Sequence, residues 1–204
     1  LLELYTPAYI WAPVEEEHRF NFEKVFEIYG YVLLKTGNEV YPLNDSLQLC
    51  MTTSGSTGSP KFVRYKKGNL EANAKNVAIA FGWTESERAI CDLGMQYTMG
   101  LNVINTHLYV GATVLLTTYN LLSPEFWEYI KKERGTNFTG VPFSYDIFFR
   151  LHFERMDLPN LRTLSQGGGK LTEKRFMQLA KYAQKTGKRF IASFGTTETS
   201  ARIA

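Results

Sequence analysis

From residue 47 onward, short apolar stretches alternate with amphipathic ones, and this alternation is the strongest constraint on the fold. The apolar stretches predict strands at 47–53, 88–93, 112–118, 136–141, 161–166 and 189–194. Apolar residues at helical spacing predict helices at about 68–81, 99–109, 123–134, 142–152 and 172–186. Because the strands show little polar alternation and are separated by helices, we expect an α/β fold whose mostly parallel sheet carries helices on both faces.

The first 46 residues follow a different pattern. Residues 15–29 place Phe22, Val25, Phe26 and Tyr29 at helical spacing, which predicts an amphipathic helix. The next stretch predicts a hairpin that turns at 36–39, where Gly and Asn tolerate positive φ. We therefore expect a partial N-terminal segment over 1–46 and an α/β core over 47–204.

Composition excludes several classes of function. The net charge of +3 is too small to indicate nucleic-acid binding by bulk electrostatics. No apolar run approaches the ~20 residues of a membrane span, so we expect a cytosolic protein. Cys50 and Cys91 form no CxxC pair and lie in apolar runs, which favours reduced core thiols. The three histidines are far apart in sequence and do not indicate a metal site.

The first predicted core strand runs directly into a loop of hydroxyl side chains and glycines that ends in a lysine. Glycines allow backbone amides to point inward, hydroxyls donate hydrogen bonds and lysine adds positive charge, so the loop suits a polyphosphate. It lacks the GxxxxGK[ST] pattern of a P-loop. A flexible Gly/Ser connector is the alternative. The candidate phosphate-binding residues are Thr53, Ser54, Gly55, Ser56, Thr57, Gly58 and Lys61.

The stretch TTSGSTGSPKFV resembles the phosphate loop of adenylate-forming (AMP-binding) enzymes, which reads TSGTTG or TSGSTG followed by x-P-K-G. Phe62 stands where that family most often has Gly, which alters local packing. The resemblance implies that the chain is the central part of the large N-terminal domain of an acyl-CoA synthetase-like ligase.

Two further loops match the same family in the right order. SQGGGKL resembles the adenine loop GGAPL, and Gly167, Gly168 and Gly169 let the backbone approach a purine. Gly169 and Lys170 replace the usual Ala and Pro, so the contacts with adenine differ. The same glycines also suit a plain strand-to-helix turn, with Thr172 as the helix cap.

FGTTE resembles the family motif YGxTE, with Phe194 in place of Tyr. The resemblance implies that Phe194 and Gly195 contact the nucleotide, that Thr197 binds phosphate or the substrate carboxylate, and that Glu198 helps to hold Mg²⁺. By itself, a Thr-Glu pair after Gly is typical of an ordinary helix start.

The segment LGMQYTMGLN resembles the family segment in which an aromatic residue or His precedes a Gly-Leu helix start. This places Tyr97 near the acyl pocket. A core aromatic whose hydroxyl has a partner is the alternative for Tyr97.

The resemblance implies that ATP and Mg²⁺ activate a carboxylic acid as an acyl-adenylate. Coenzyme A or the pantetheine of an acyl carrier protein then accepts the acyl group. In this family a ribose-binding Asp and a C-terminal domain with a catalytic Lys follow YGxTE, so we expect the 204-residue chain alone to be inactive. QYTM has no Asp to pair with an amino group, which favours an acid without one.

Three alternatives remain open at this point. The chain could be an amino-acid-activating adenylation domain, a nucleotide-binding module without catalysis, or a structural or interaction fragment. The last is suggested by an aromatic content of 14%.

Overall fold

The computed structural model describes residues 6–40, 42–53 and 61–202. The chain divides into two compact units, one up to Asp45 and one from Ser46 onward. Within the described residues, no helix is both long enough and apolar enough to cross a membrane.

The first unit is a three-stranded antiparallel sheet. Its strands are β1 (Tyr9–Pro13), β2 (Glu23–Ile28) and β3 (Tyr31–Lys35), in the order β1-β3-β2, and a short 3₁₀ helix (Val14–Arg19) follows β1. Ala12, Val32 and Leu34 form its small buried core. Alternate residues of the central strand β3 therefore face this core.

The helix predicted over 15–29 is wrong, and so is the hairpin predicted around 36–39. Tyr29 and Gly30 have φ values of +51° and +77°, which makes them the two-residue turn between β2 and β3. Positive φ at both central residues matches the twist of hairpin strands. Residues 38–40 contain no strand. The apolar residues of 22–29 fit either period, and the Tyr-Gly turn together with pairing to β3 decides for a strand.

The second unit contains a five-stranded sheet whose strands are all parallel, in the order β10-β9-β8-β6-β7. This confirms the expected α/β fold. The strands are β6 (Arg88–Cys91), β7 (Thr113–Leu116), β8 (Asn137–Gly140), β9 (Thr163–Gln166) and β10 (Arg189–Ala192). The helices are α1 (Asn69–Phe81), α2 (Thr98–Tyr109), α3 (Pro124–Lys132), α4 (Pro142–Arg150) and α5 (Glu173–Thr186), and short 3₁₀ helices span Phe153–Arg155 and Thr197–Thr199.

The predicted strand at 47–53 exists as β4 (Leu47–Thr52), but it lies outside the parallel sheet. It pairs with β5 (Phe62–Lys66) in a separate antiparallel hairpin. Cys50 lies on the exposed face of this ribbon, while its neighbour Met51 points to the opposite face and is buried, so the prediction of Cys50 as a core thiol is wrong. Cys91 is buried as expected, and both thiols are free.

Helices cover both faces of the parallel sheet because successive strand residues point to opposite sides. On one face, Ala89 and Cys91 pack against Val103 of α2. On the other face, Ile90 joins a large cluster of aromatic and aliphatic side chains with α3, α4 and α5. The fully buried members of that cluster are Ile90, Phe126, Phe138, Tyr145, Phe148, Phe153, Leu164 and Leu179.

We expect Leu164→Ala to lower the free energy of unfolding by about 2–5 kcal/mol, because the leucine is completely buried and the deletion leaves a cavity. The control is Leu116→Ala on β7, whose side chain is 64% exposed and should cost about 0.5 kcal/mol or less. Urea denaturation measures both changes. Equal losses would contradict the assignment of the core.

Candidate functional site

The candidate site lies at the edge of the parallel sheet where the strands end. In a parallel sheet the loops that follow the strands meet at this edge, where ligands of such sheets bind. A cavity of about 830 Å³ lies between the loops that follow β9 and β10. Its lining residues are Gln166, Gly168, Gly169, Lys170, Leu171, Glu173, Phe176, Ala192, Ser193, Phe194 and Gly195.

The glycine loop after β9 is held by the side chain of the last strand residue. Gln166 Nε2 donates hydrogen bonds to the carbonyl oxygens of Gly167, at 3.1 Å, and Gly169, at 2.5 Å. Gly168 has a φ of +71°, which favours glycine at this position. Thr172 caps α5, since its hydroxyl accepts from the backbone N–H of Arg175 at 3.3 Å. The loop therefore opens a helix and also borders the cavity.

The loop after β10 places an aromatic ring on the cavity and then folds back on itself. Phe194 lines the cavity and is 63% exposed, so its ring is available for stacking. A Cβ atom on Gly195 would lie only 1.6 Å from the carbonyl oxygen of Ala201. The backbone approach of this loop therefore requires glycine.

Glu198 lies exposed in the single 3₁₀ turn Thr197–Thr199. Hydrogen bonds from its own backbone N–H and from the Thr196 hydroxyl lower the pKa of this carboxyl, so it is ionised at neutral pH. The described residues contain no cluster of three or more His, Cys, Asp or Glu side chains that could hold a metal. One carboxylate still fits Mg²⁺, which is usually bound by one or two carboxylates together with substrate phosphates.

The β4–β5 hairpin is joined to this loop by a tyrosine. Tyr65 of β5 is buried, and its hydroxyl donates a hydrogen bond to the carbonyl oxygen of Thr197. Burial and the nearby charge of Glu198 raise the pKa of Tyr65, so its hydroxyl keeps its proton. The backbone N–H of Thr53 donates to the carbonyl oxygen of Lys61 at 2.9 Å, which closes the base of the predicted phosphate loop.

The middle of the predicted phosphate loop, which comprises Ser54, Gly55, Ser56, Thr57 and Gly58, lies outside the described residues. Lys61 is exposed next to β5. The hairpin therefore carries both ends of the predicted phosphate loop, while the phosphate contacts stay a prediction.

Sequence reasoning missed Arg202, which anchors the chain just after the FGTTE loop. Its side chain is buried, and Nη2 donates to the hydroxyls of Thr139 on β8, at 3.0 Å, and Ser165 on β9, at 3.4 Å. Its guanidinium carbon lies 4.7 Å from the centre of the Phe81 ring. Burial lowers the pKa of Arg202 to about 10, and no carboxylate among the described residues pairs with it. Nothing in the local sequence marks this arginine as buried.

Sequence reasoning also missed Asp92, the residue that follows β6. One of its carboxylate oxygens is buried and has no hydrogen-bond partner among the residues that the structure describes. Burial raises the pKa of Asp92 to about 6. A carboxyl whose pKa lies this close to neutral pH, at the edge of the sheet where the loops meet, is a candidate functional group.

Tyr97 is the residue immediately before α2 and is 65% exposed. The alternative that it is a core aromatic is therefore wrong. Its backbone N–H donates to the carbonyl oxygen of Gly94 at 3.1 Å, which fixes the turn into α2. Its place in an acyl pocket stays a prediction.

Comparisons with known proteins identify relatives of this arrangement. A family model described as AMP-binding enzyme matches residues 8–204. Feruloyl-CoA synthase from Amycolatopsis sp is 31% identical over 162 residues, which cover 78% of this chain and 32% of the relative. The 2-succinylbenzoate–CoA ligase of Bacillus subtilis (strain 168) is 28% identical over 190 residues, which cover 93% of this chain and 37% of the relative.

Solved structures match as well. A structure of o-succinylbenzoate CoA synthetase from Bacillus subtilis, in complex with its acyl-adenylate intermediate, superposes with a TM-score of 0.65 and 26% identity. The match covers 76% of this chain and 31% of that structure. The chain thus spans about a third of the length of the relatives described here.

We expect Asp92→Asn to stabilise the protein in a pH-dependent way. The folded state raises the carboxyl pKa from 3.8 to about 6, so it binds the proton more tightly than the unfolded state does. Stability is therefore lost as pH rises through this interval, and the deficit persists above it. Replacing the carboxyl should raise the free energy of unfolding by up to about 3 kcal/mol near pH 7.5 and change it little near pH 4.

Thermal and urea unfolding of both proteins at the two pH values measure this effect. An exposed carboxyl, Asp45→Asn, is the control and should change stability at neither pH. A variant that is less stable than the wild type near pH 7.5 would show that Asp92 has a stabilising partner.

Proposed function

The chain belongs to the family of AMP-binding enzymes, and from this premise we propose that the intact protein activates a carboxylic acid with ATP. A carboxylate oxygen of the acid attacks the α-phosphorus of ATP, and the bond to the bridging oxygen of the β-phosphate breaks. The products are an acyl-adenylate and pyrophosphate. The sulfur of a thiol, coenzyme A in this proposal, then attacks the acyl carbon, AMP leaves and the thiol loses its proton.

The hydrogen bond between Tyr65 and Thr197 carries this proposal. The two residues are 132 positions apart, and the bond holds the hairpin with both ends of the predicted phosphate loop against the FGTTE loop. The FGTTE loop in turn borders the cavity that the glycine loop also lines. These contacts support the proposal that the three motifs resembling one family form one site.

Each group has a defined role in the proposed reaction. The cavity accepts the adenine, with the Phe194 ring stacked on it and the backbone at Gly167–Gly169 close to its edge. Lys61 and the hydroxyl side chains of 53–57 bind the phosphates. Mg²⁺, held by Glu198 and phosphate oxygens, supplies charge neutralisation when it is bound. Because such transfers need little covalent help, positioning and charge carry the catalysis.

Coenzyme A is favoured as the acceptor because the relatives described above bear the names of CoA synthases and ligases. The pantetheine of a carrier protein is the other thiol of the same chemistry. We propose an acid without an amino group, with Tyr97 at the acyl pocket, since residues 93–102 around Tyr97 contain no acidic side chain. A cytoplasmic location stays a prediction.

The exchange of labelled pyrophosphate into ATP, measured on the intact protein with a panel of acids, tests the proposal. We expect exchange that requires both Mg²⁺ and an acid, and a loss of about 100-fold in Glu198→Gln, because that change removes the proposed metal ligand. The matched control is Glu128→Gln on the exposed face of α3, which should retain full exchange.

The outcome separates the proposal from its alternatives. Nucleotide binding without exchange for any acid would indicate a module without catalysis. Exchange supported best by an amino acid would identify an amino-acid-activating domain. Exchange that is unaffected by Glu198→Gln would contradict the role given to this carboxylate.

A further inference from the structure

A second cavity lies at the opposite edge of the parallel sheet, where the strands begin. Its volume is about 370 Å³, within the range of pockets that bind small ligands. The residues that line it precede or begin three neighbouring strands, β6, β8 and β9. They are Ser86, Arg88, Arg134, Thr136, Pro159, Asn160 and Arg162, and none of them is acidic.

Two of the three arginines are held in place by hydrogen bonds to glutamates that do not line the cavity. Arg88 donates from Nε to the carbonyl oxygen of Glu133 at 2.5 Å and from Nη2 to the carboxylate of Glu133 at 3.1 Å. Arg162 Nη2 donates to the carboxylate of Glu87 at 2.9 Å. Their side chains stay 35% and 51% exposed, so each guanidinium is oriented and keeps N–H donors for another partner.

Glu87 is itself fixed in the structure. It is buried, and its carboxylate accepts from the Thr136 hydroxyl at 2.5 Å and from Asn137 Nδ2 at 2.9 Å. Burial alone would raise the pKa of this carboxyl, but these hydrogen bonds and the charge of Arg162 lower it below the ordinary value. Arg162 is therefore oriented by the negative charge of Glu87, which does not itself line the cavity.

Arg134 is the third arginine, and its charge is not balanced. It is exposed and has no ion pair among the described residues, although Arg88 and Arg162 each have one. Its backbone has a φ of +53°, an unusual conformation for a residue other than glycine. Three guanidinium groups thus line the cavity, and two of them pair with a carboxylate of the described residues, so the cavity carries an excess positive charge.

We propose that this cavity binds a small phosphate-type anion, such as phosphate, pyrophosphate or a phosphate monoester. Oriented guanidinium groups match the oxygens of a phosphoryl group in pairs, and further donors come from Ser86 and Asn160. The site lies on the other edge of the sheet from the cavity near Phe194. It does not depend on the proposed enzymatic activity.

Titration of the ¹⁵N-labelled protein with pyrophosphate, at constant ionic strength and without Mg²⁺ or nucleotide, tests the site by amide NMR shifts. We expect saturable shifts at 86–88, 134–136 and 160–162. In Arg134→Gln the dissociation constant should rise about tenfold, because one charge-assisted contact is lost. The charge-matched control Arg150→Gln, at the exposed end of α4, should stay within about twofold of wild type.

A second variant distinguishes a loss of binding from misfolding, and the positions of the shifted residues distinguish this cavity from the other edge of the sheet. Arg162→Lys retains the charge opposite Glu87 and loses the planar fork, so it should also weaken binding while the rest of the spectrum is preserved. Shifts confined to residues near Lys61 and Gly167–Gly169, or no saturation up to about 10 mM, a concentration typical of weak ligands, would overturn the proposal.

Discussion

The common direction of the five central strands is the constraint on which the rest of the structure depends. Because β6 to β10 are parallel, every loop after a strand lies at one edge and every loop before a strand lies at the other. The first edge collects the glycine loop, Phe194 and Asp92. The second edge collects the arginines at 88, 134 and 162. Two cavities with different chemistry therefore arise from one sheet.

Long-range contacts hold the candidate site in shape more than the motifs themselves do. The close approach of Gly195 to Ala201 folds the FGTTE loop back. Arg202 then fixes the following chain to β8 and β9, and Tyr65 joins the loop to the hairpin. Burying a guanidinium that pairs with no carboxylate of the described residues is costly, and the hydroxyl partners of Arg202 and the Phe81 ring offset part of that cost. The FGTTE loop is thus held by the β4–β5 hairpin and, through Arg202, by β8 and β9.

The parallel sheet was predictable because each strand is a short apolar run and each helix carries apolar residues at helical spacing. The N-terminal unit was not, since Phe22, Val25 and Phe26 fit a helix as well as a strand and the Tyr29-Gly30 turn resolves the choice. The separation of β4 from the sheet could not be predicted, because an apolar run does not reveal which strand it pairs with. Cys50 is exposed because β4 lies in this separate hairpin and not inside the parallel sheet.

The candidate site was likewise predictable only in part. The three motifs could be found from their residues, and the structure places Gly168, Gly169 and Phe194 on one cavity. Arg202, Asp92 and Tyr65 could not be found, because their importance comes from burial and from partners far away in sequence. A single charged or aromatic residue in a sequence gives no sign of such partners.

The central claim is that the loops at the carboxyl edge form one nucleotide site, and calorimetric titration of the protein with MgATP tests it most directly. The structure predicts saturable binding that weakens about tenfold in Lys61→Ala and is unchanged in Lys131→Ala, since both lysines are exposed but only Lys61 adjoins the predicted phosphate loop. Absence of binding, or binding that both variants retain equally, would contradict the claim.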